Sequence, residues 1–183
     1  MRTQQPNSFD GCEAPGDRPG DARGGLAPFE CRFRPDTGAV GVVRRAFGRW
    51  IQARGGVDVD AVDDLLLACS ELCTNAVRSA SHAEDTVAVR ARPSGDAVVL
   101  EVEDDGAGFS WPLAHRIQDV PEQDEHGRGL FIVAAITDEM EVEVATGRTV
   151  VRCTKRHVLG GQDRARGDAT GGRPRWPGAG RRD

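Results

Sequence analysis

Two periods of hydrophobic residues run through the middle of the chain and predict most of its secondary structure. Residues 29–35 alternate apolar and charged side chains, which is typical of a half-buried strand. Residues 36–56 and 58–80 instead place apolar residues three and four positions apart, the spacing of amphipathic helices. The expected N-terminal caps are acidic: Asp36 for the first helix, and Asp58 or Asp60 for the second.

The second half of the chain predicts two β-hairpins with a third helix between them. The four strands are expected in "TVAVRARP" (86–93), "AVVLEVEDD" (97–105), "DEMEVEVAT" (138–146) and "RTVVRCTKR" (148–156). Their turns are expected at Ser94-Gly95 and Gly147-Arg148, and "LFIVAAIT" (130–137) begins the helix. Together these elements predict an α+β fold, a two-layer sandwich whose mostly antiparallel mixed sheet carries three helices on one face.

The two ends of the chain show no apolar period and are rich in Gly, Pro, Arg and Asp. We predict that residues 1–27 and 158–183 are disordered tails and that residues 28–157 form one domain. The chain has a net charge of −5, to which the tails contribute −1 and +3, so the domain itself holds −7. Such an acidic domain argues against direct binding of nucleic acid.

The sequence contains no apolar stretch long enough to span a membrane and no apolar N-terminal segment typical of a secretion signal. The five cysteines lack the spacing of metal ligands. Cys69 and Cys73 lie one helical turn apart, and we expect them to pack in the core as small apolar side chains. These features predict a cytoplasmic protein with reduced cysteines.

Three clusters of polar residues or glycines interrupt the apolar pattern. In the first, Glu71 and Asn75 lie four residues apart, and so on one face, in a helix that is otherwise mostly apolar. A carboxylate and an amide near a core are costly unless something bonds them. In the second, Gly106 and Gly108 follow a strand that ends at Asp104.

The third cluster, "HGRGL", places Gly127 and Gly129 directly before the third helix. Glycines at a helix N-terminus let the backbone approach an anion, which the exposed N–H groups and the helix dipole then bind. A phosphate is the expected ligand. The single lysine, Lys155, lies in the last strand, which excludes a P-loop. Ile132 stands where a dinucleotide fingerprint has its third glycine.

Each cluster alone also has an ordinary explanation. Glu71 and Asn75 are compatible with an exposed helix face, and Asp104-Asp105 with a strand-ending turn. The glycines before the third helix are compatible with a flexible loop. It is the order of the three clusters along the chain that favours a binding site.

In this order the clusters resemble the N, G1 and G2 boxes of the GHKL (histidine-kinase-like) ATP-binding family. "ELCTNAV" (71–77) is similar to the Glu-x-x-x-Asn box, "DDGAG" (104–108) to Asp-x-Gly-x-Gly, and "GRGLFIV" (127–133) to Gly-x-Gly-Leu-x-Ile-Val. The short single-domain form looks like the anti-sigma-factor serine/threonine kinases of bacteria. One departure is Ser79, which stands where members of the family often carry histidine.

The resemblance implies a role for each residue of the clusters. Asn75 would coordinate Mg²⁺ between the phosphates of ATP, and Glu71 would be the general base. Asp104 would accept a hydrogen bond from the adenine amino group. The other implied nucleotide-binding residues are Gly106, Gly108, Gly127, Arg128, Gly129, Leu130 and Thr149, the last of them near the adenine.

The resemblance leaves two functions open. The first is a Mg-ATP-dependent serine/threonine protein kinase that transfers the γ-phosphate to a serine of a small antagonist of an anti-sigma factor. The second is a nucleotide-gated binding module that sequesters a sigma factor or another regulator, with little kinase activity. Glu71 favours the first function, because a pure binder needs no general base. Homodimerisation also stays open, and no membrane or nucleic-acid partner is implied.

Overall fold

The computed structural model describes residues 27–82, 84–106 and 128–160. Its elements are β1 (Phe29–Phe33), α1 (Thr37–Gln52), α2 (Val59–Ser79), β2 (Val87–Ser94), β3 (Ala97–Asp104), α3 (Arg128–Ile136), β4 (Glu139–Ala145) and β5 (Arg148–Lys155). The strands form one sheet in the order β1-β2-β3-β5-β4, and each neighbouring pair is antiparallel. The predicted α+β fold is therefore confirmed. No helix in the described ranges is long and apolar enough to cross a membrane.

Both long helices begin at an acidic cap, as the sequence predicts. Asp36 accepts a hydrogen bond from the Gly38 N–H at 2.7 Å. The cap of α2 is Asp58, which accepts from the Ala61 N–H at 2.9 Å. Asp60 lies in the first turn of α2, where a carboxylate complements the helix dipole.

The two predicted hairpins are present, but each turn lies one residue from its predicted place. Ser94 pairs with Ala97, so the first turn consists of Gly95 and Asp96. The second turn is residues 146–147. The glycine of each turn is left-handed, with φ of 62° in the first and 72° in the second. Glycine adopts this conformation without strain, which fixes the register of both hairpins.

The face of the sheet that carries the helices forms the core. The central strand β3 contributes Val98, Leu100 and Val102 to it, and all three are buried. Because side chains alternate along a strand, Asp104 at the end of β3 lies on this same face. A carboxylate thus ends a row of apolar core residues.

The opposite face of the sheet carries a row of alternating charges. The strand register aligns one residue from each strand in the order Glu30, Arg90, Glu101, Arg152 and Glu141. Arg90 Nη1 lies 3.1 Å from Glu101 Oε1, and Arg152 Nη2 lies 2.7 Å from Glu101 Oε2. Cross-strand pairs of opposite charge stabilise a sheet, so this row supports the register.

Three of the four described cysteines agree with the sequence analysis, and the fourth, which is also buried, does not. Cys69, Cys73 and Cys153 are free and buried. Burial raises the pKa of the Cys153 thiol to about 12, which keeps it protonated and unreactive. Cys31 is disulfide-bonded, so the prediction of reduced cysteines is wrong at that position.

The folded unit extends past the predicted boundary at residue 157. Val158 and Leu159 are buried in the core, and Leu159 forms a β-bridge with Val57. The prediction of a tail from residue 158 is therefore wrong for these two residues. Two apolar residues after a strand form no period, and their burial depends on backbone hydrogen bonds to Asp58 and Asp96 that no local pattern predicts.

The single lysine joins three elements of the fold. Lys155 Nζ lies 2.6 Å from Asp64 Oδ2 on α2 and donates to the carbonyl of Ile136, the last residue of α3, at 2.7 Å. We expect Lys155→Met to lower the free energy of unfolding by about 1–3 kcal/mol, because it leaves both acceptors without this donor. Urea unfolding followed by circular dichroism measures the change.

The matched control is the neighbouring cation, Arg156, which pairs with Glu139 where both side chains are more than half exposed. Exposed pairs contribute little, so Arg156→Met should change the free energy of unfolding by less than about 1 kcal/mol. If the two variants lost the same free energy of unfolding, the larger contribution expected for Lys155 would be wrong.

Candidate functional site

The C-terminal half of α2 presents three polar residues along one face. Glu71, Asn75 and Ser79 follow each other at intervals of four, and all three are half-buried. Neither Glu71 nor Asn75 makes a side-chain hydrogen bond to another described residue. Half-buried polar groups without protein partners are suited to receive a ligand.

The N-terminus of α3 lies directly against this face. A Cβ atom on Gly129 would stand 2.9 Å from Glu71 Oε2 and 3.0 Å from Asn75 Nδ2. A side chain at this position would force Glu71 and Asn75 to move, so glycine lets the backbone of α3 approach both in their present positions. The first and third sequence clusters therefore meet, and the first turn of α3 lies beside a carboxylate and an amide.

The second cluster lies at the other end of the same face of α2. Asp104 is buried, and its Oδ1 accepts hydrogen bonds from Ser79 Oγ at 2.8 Å and from the Gly106 N–H at 3.1 Å. Burial raises the pKa of Asp104, while these two bonds act in the opposite direction. A Cβ atom on Gly106 would stand 2.5 Å from the Ser79 carbonyl oxygen, so the turn after β3 requires glycine there.

Thr149 lies directly beside Asp104. The two residues are opposite each other in the β3–β5 pairing, and Thr149 is fully buried. Within the described ranges, Thr149 Oγ1 is the one buried side-chain oxygen or nitrogen without a hydrogen-bond partner. An unpaired buried hydroxyl is costly, and a ligand that bonds it would remove that cost.

The structure thus brings together most of the predicted residues. Glu71, Asn75 and Gly129 form one end of the site, and Asp104, Gly106 and Thr149 form the other. Arg128 is exposed at the start of α3, and the Leu130 side chain is buried, so Leu130 offers only its backbone to a ligand. Gly108 and Gly127 lie outside the described residues.

Sequence reasoning missed the contact that Ser79 makes with Asp104. The helical spacing from Asn75 to Ser79 was the available signal, because it places the serine on the same face as the first cluster. The contact itself depends on how α2 lies across the end of β3, which no local pattern shows.

The donor set fits a magnesium nucleotide better than a resident metal ion. No group of three or more His, Cys, Asp or Glu in the described part of the chain could hold a metal. Mg²⁺ differs from most protein-bound metals because it keeps waters and takes phosphate oxygens, and so needs only one or two protein ligands. The amide of Asn75 beside a helix N-terminus meets that requirement.

Comparisons with known proteins agree with this geometry. The family model of the histidine kinase-like ATPase domain matches residues 33–155. The serine-protein kinase RsbW of Bacillus pumilus is 31% identical over 125 residues, which cover 61% of this chain and 75% of the relative. RsbW of Bacillus velezensis is 33% identical over 131 residues, covering 67% and 81%.

One solved structure with the same fold contains the RsbU and RsbW domains of Rv1364c from Mycobacterium tuberculosis. It is 22% identical with a TM-score of 0.55, and the match covers 71% of this chain and 32% of that chain. This chain therefore spans about a third of the length of that structure, and the likeness concerns the fold alone.

Proposed function

Because the chain belongs to the histidine kinase-like ATPase domain family, we propose that it binds Mg-ATP and phosphorylates a serine of a small partner protein. The partner would be an antagonist of an anti-sigma factor, and a sigma factor would be a second partner. The observation that carries the proposal is the contact of Gly129 with Glu71 and Asn75, which joins a helix N-terminus to a candidate base and a candidate Mg²⁺ ligand. The similarity to serine-protein kinases supports the reaction type.

The adenine end of the proposed site is formed by Asp104 and Thr149. Asp104 Oδ1 is occupied by Ser79 and Gly106, and Oδ2 has no partner among the described residues. Oδ2 would accept the hydrogen bond of the adenine amino group, and the unpaired Thr149 Oγ1 would bond the same edge of the base. The buried hydroxyl of Thr149 would thereby gain a partner, and so would the second carboxylate oxygen of Asp104.

The phosphate end is formed by α2 and the start of α3. Asn75 would bind Mg²⁺, and the backbone N–H groups of Arg128, Gly129 and Leu130 would bind phosphate oxygens. Gly108 and Gly127 would complete the loops around the nucleotide. When bound, ATP supplies the phosphoryl group that is transferred.

Glu71 would accept the proton of the substrate serine hydroxyl as the phosphoryl group is transferred. Its carboxylate lies next to the proposed Mg²⁺ ligand and makes no hydrogen bond to another described residue, so it is free to take this proton. A module that only sequesters a sigma factor would not require a carboxylate at this place. We further propose a cytoplasmic location for the protein.

Substitution of Asp104 tests the proposed nucleotide site. The wild-type protein should bind Mg-ATP more tightly than Mg-GTP, and Asp104→Asn should reduce this preference by about 10-fold or more. The reason is that an amide group presents donors where the adenine amino group needs an acceptor. Isothermal titration calorimetry with both nucleotides measures the preference.

The control is Asp105→Asn, which removes the same charge from an exposed neighbour whose Oδ2 accepts from Thr86 Oγ1 at 2.6 Å. It should leave the preference for ATP intact. If the two variants behaved alike, Asp104 would act through charge alone, and the proposed adenine site would be wrong.

A further inference from the structure

We infer that Ser79 is a positioning residue that sets the base specificity of the site, by holding Asp104 with one carboxylate oxygen turned to the ligand. The inference rests on the proposed role of Asp104 in binding adenine. It adds a residue that lies outside the three sequence clusters, at a position where the chain departs from the family it resembles.

The contacts of Asp104 divide its two oxygens between protein and ligand. Oδ1 accepts both bonds, from Ser79 Oγ at 2.8 Å and from the Gly106 N–H at 3.1 Å. Oδ2 accepts none from the described residues. Two donors on one oxygen, one from α2 and one from the turn after β3, restrict the rotation of the carboxylate, so Oδ2 stays available at one place.

The Ser79 hydroxyl has a second acceptor in reach, the Ala76 carbonyl at 3.0 Å. A hydroxyl has a single hydrogen, and a carboxylate attracts it more strongly than a backbone carbonyl does. Ionised Asp104 therefore takes the hydrogen bond. This bond also supports the ionised carboxylate against the effect of burial, which raises the pKa of Asp104.

The backbone of Ser79 also contacts the turn that follows Asp104. Ser79 is the last residue of α2, and its carbonyl oxygen packs where a side chain on Gly106 would stand. The hydroxyl and the carbonyl of one residue thus contact Asp104 and the turn that follows it. The end of the helix that carries Glu71 and Asn75 is in this way connected to the adenine end of the site.

The test compares two nucleotides that differ only in the group that Asp104 would bind. These are Mg-ATP and the magnesium complex of purine riboside triphosphate, which lacks the 6-amino group. Ser79→Ala should weaken ATP binding by about 5- to 20-fold, the effect of a lost hydrogen bond to a charged group. The affinity for purine riboside triphosphate should change by less than about 2-fold, since that ligand makes no bond to Asp104.

A matched pair of variants separates the hydroxyl from the shape of the side chain. Ser79→Thr keeps the hydroxyl and should retain the preference for ATP. Ser79→Val has nearly the same shape without the hydroxyl and should lose the preference as Ser79→Ala does. This pair also decides the question if Ser79→Ala fails to fold, which a thermal unfolding curve of each variant would show.

The outcomes distinguish this inference from the proposed function. If the wild-type protein bound the two nucleotides equally, or bound neither, the adenine role of Asp104 would be wrong and the inference would fall with it. If the wild-type protein preferred ATP and the Ala and Val variants kept that preference, only the role of Ser79 would be wrong. If these variants lost affinity for both nucleotides equally, the serine would have only a structural role, and the inference would also be overturned.

Discussion

Glu71→Gln should slow phosphoryl transfer by about 10²- to 10⁴-fold while Mg-ATP affinity stays within a few-fold of wild type. Glutamine has the shape of glutamate but accepts no proton from a serine hydroxyl. Because Glu71 makes no hydrogen bond to another described residue and glutamine keeps its size, the replacement should preserve both the hydrogen bonds of the fold and the packing against Gly129. The measurement is single-turnover transfer from radiolabelled ATP to a purified anti-sigma-factor antagonist, with calorimetry for ATP binding.

The control for this variant is Asp63→Asn, an exposed carboxylate on the same helix. It should transfer phosphate at the wild-type rate. If the Glu71→Gln variant transferred phosphate at the wild-type rate, Glu71 would not be the general base. If the wild-type protein bound ATP but transferred no phosphate, the sequestering module would become the better description.

Asn75→Ala should abolish the Mg²⁺-dependent part of ATP binding, a loss of about 100-fold or more. Substitution of residues that only support a metal ligand already costs about 10- to 100-fold, and Asn75 is proposed as the ligand itself. The substitution leaves the close approach of Gly129 sterically possible, because alanine is smaller than asparagine. Calorimetric titration with ATP in the presence of Mg²⁺, and again in the presence of EDTA, isolates the metal-dependent part.

The matched variant is Arg78→Ala, an exposed residue of the same helix on another face. It should bind Mg-ATP as the wild-type protein does. An Asn75→Ala protein whose ATP affinity still increased with Mg²⁺ would show that the ion has another ligand, and Asn75 would then be assigned to packing at the start of α3.

Local patterns were sufficient for the elements of the fold and for most of the site residues. The apolar periods gave all eight elements, and the acidic caps Asp36 and Asp58 are where a capping residue was expected. The predicted turns differ by one residue from those in the structure, because small or polar residues stand on both sides of each glycine. Only the pairing of the strands decides whether the glycine is the first or the second residue of the turn.

Features that depend on tertiary placement could not be predicted from the sequence. That Thr149 faces Asp104 follows from the register of β3 and β5, which are separated in the chain by a helix and another strand. The contact of Ser79 with Asp104 and the approach of Gly129 to Glu71 follow from how the helices cross the sheet. The family resemblance predicts that the three clusters form one site, but it does not predict these contacts.

The charged face of the sheet also affects how copies of the protein meet. Strand β4 is an edge of the sheet, and it carries Glu139, Glu141 and Glu143 at alternate positions. If a second copy added its own β4 alongside, it would bring a matching row of carboxylates next to these three. Charged side chains on an edge strand are one way in which proteins prevent the exposed edges of their sheets from pairing into extended aggregates. The row thus protects this edge against uncontrolled strand addition.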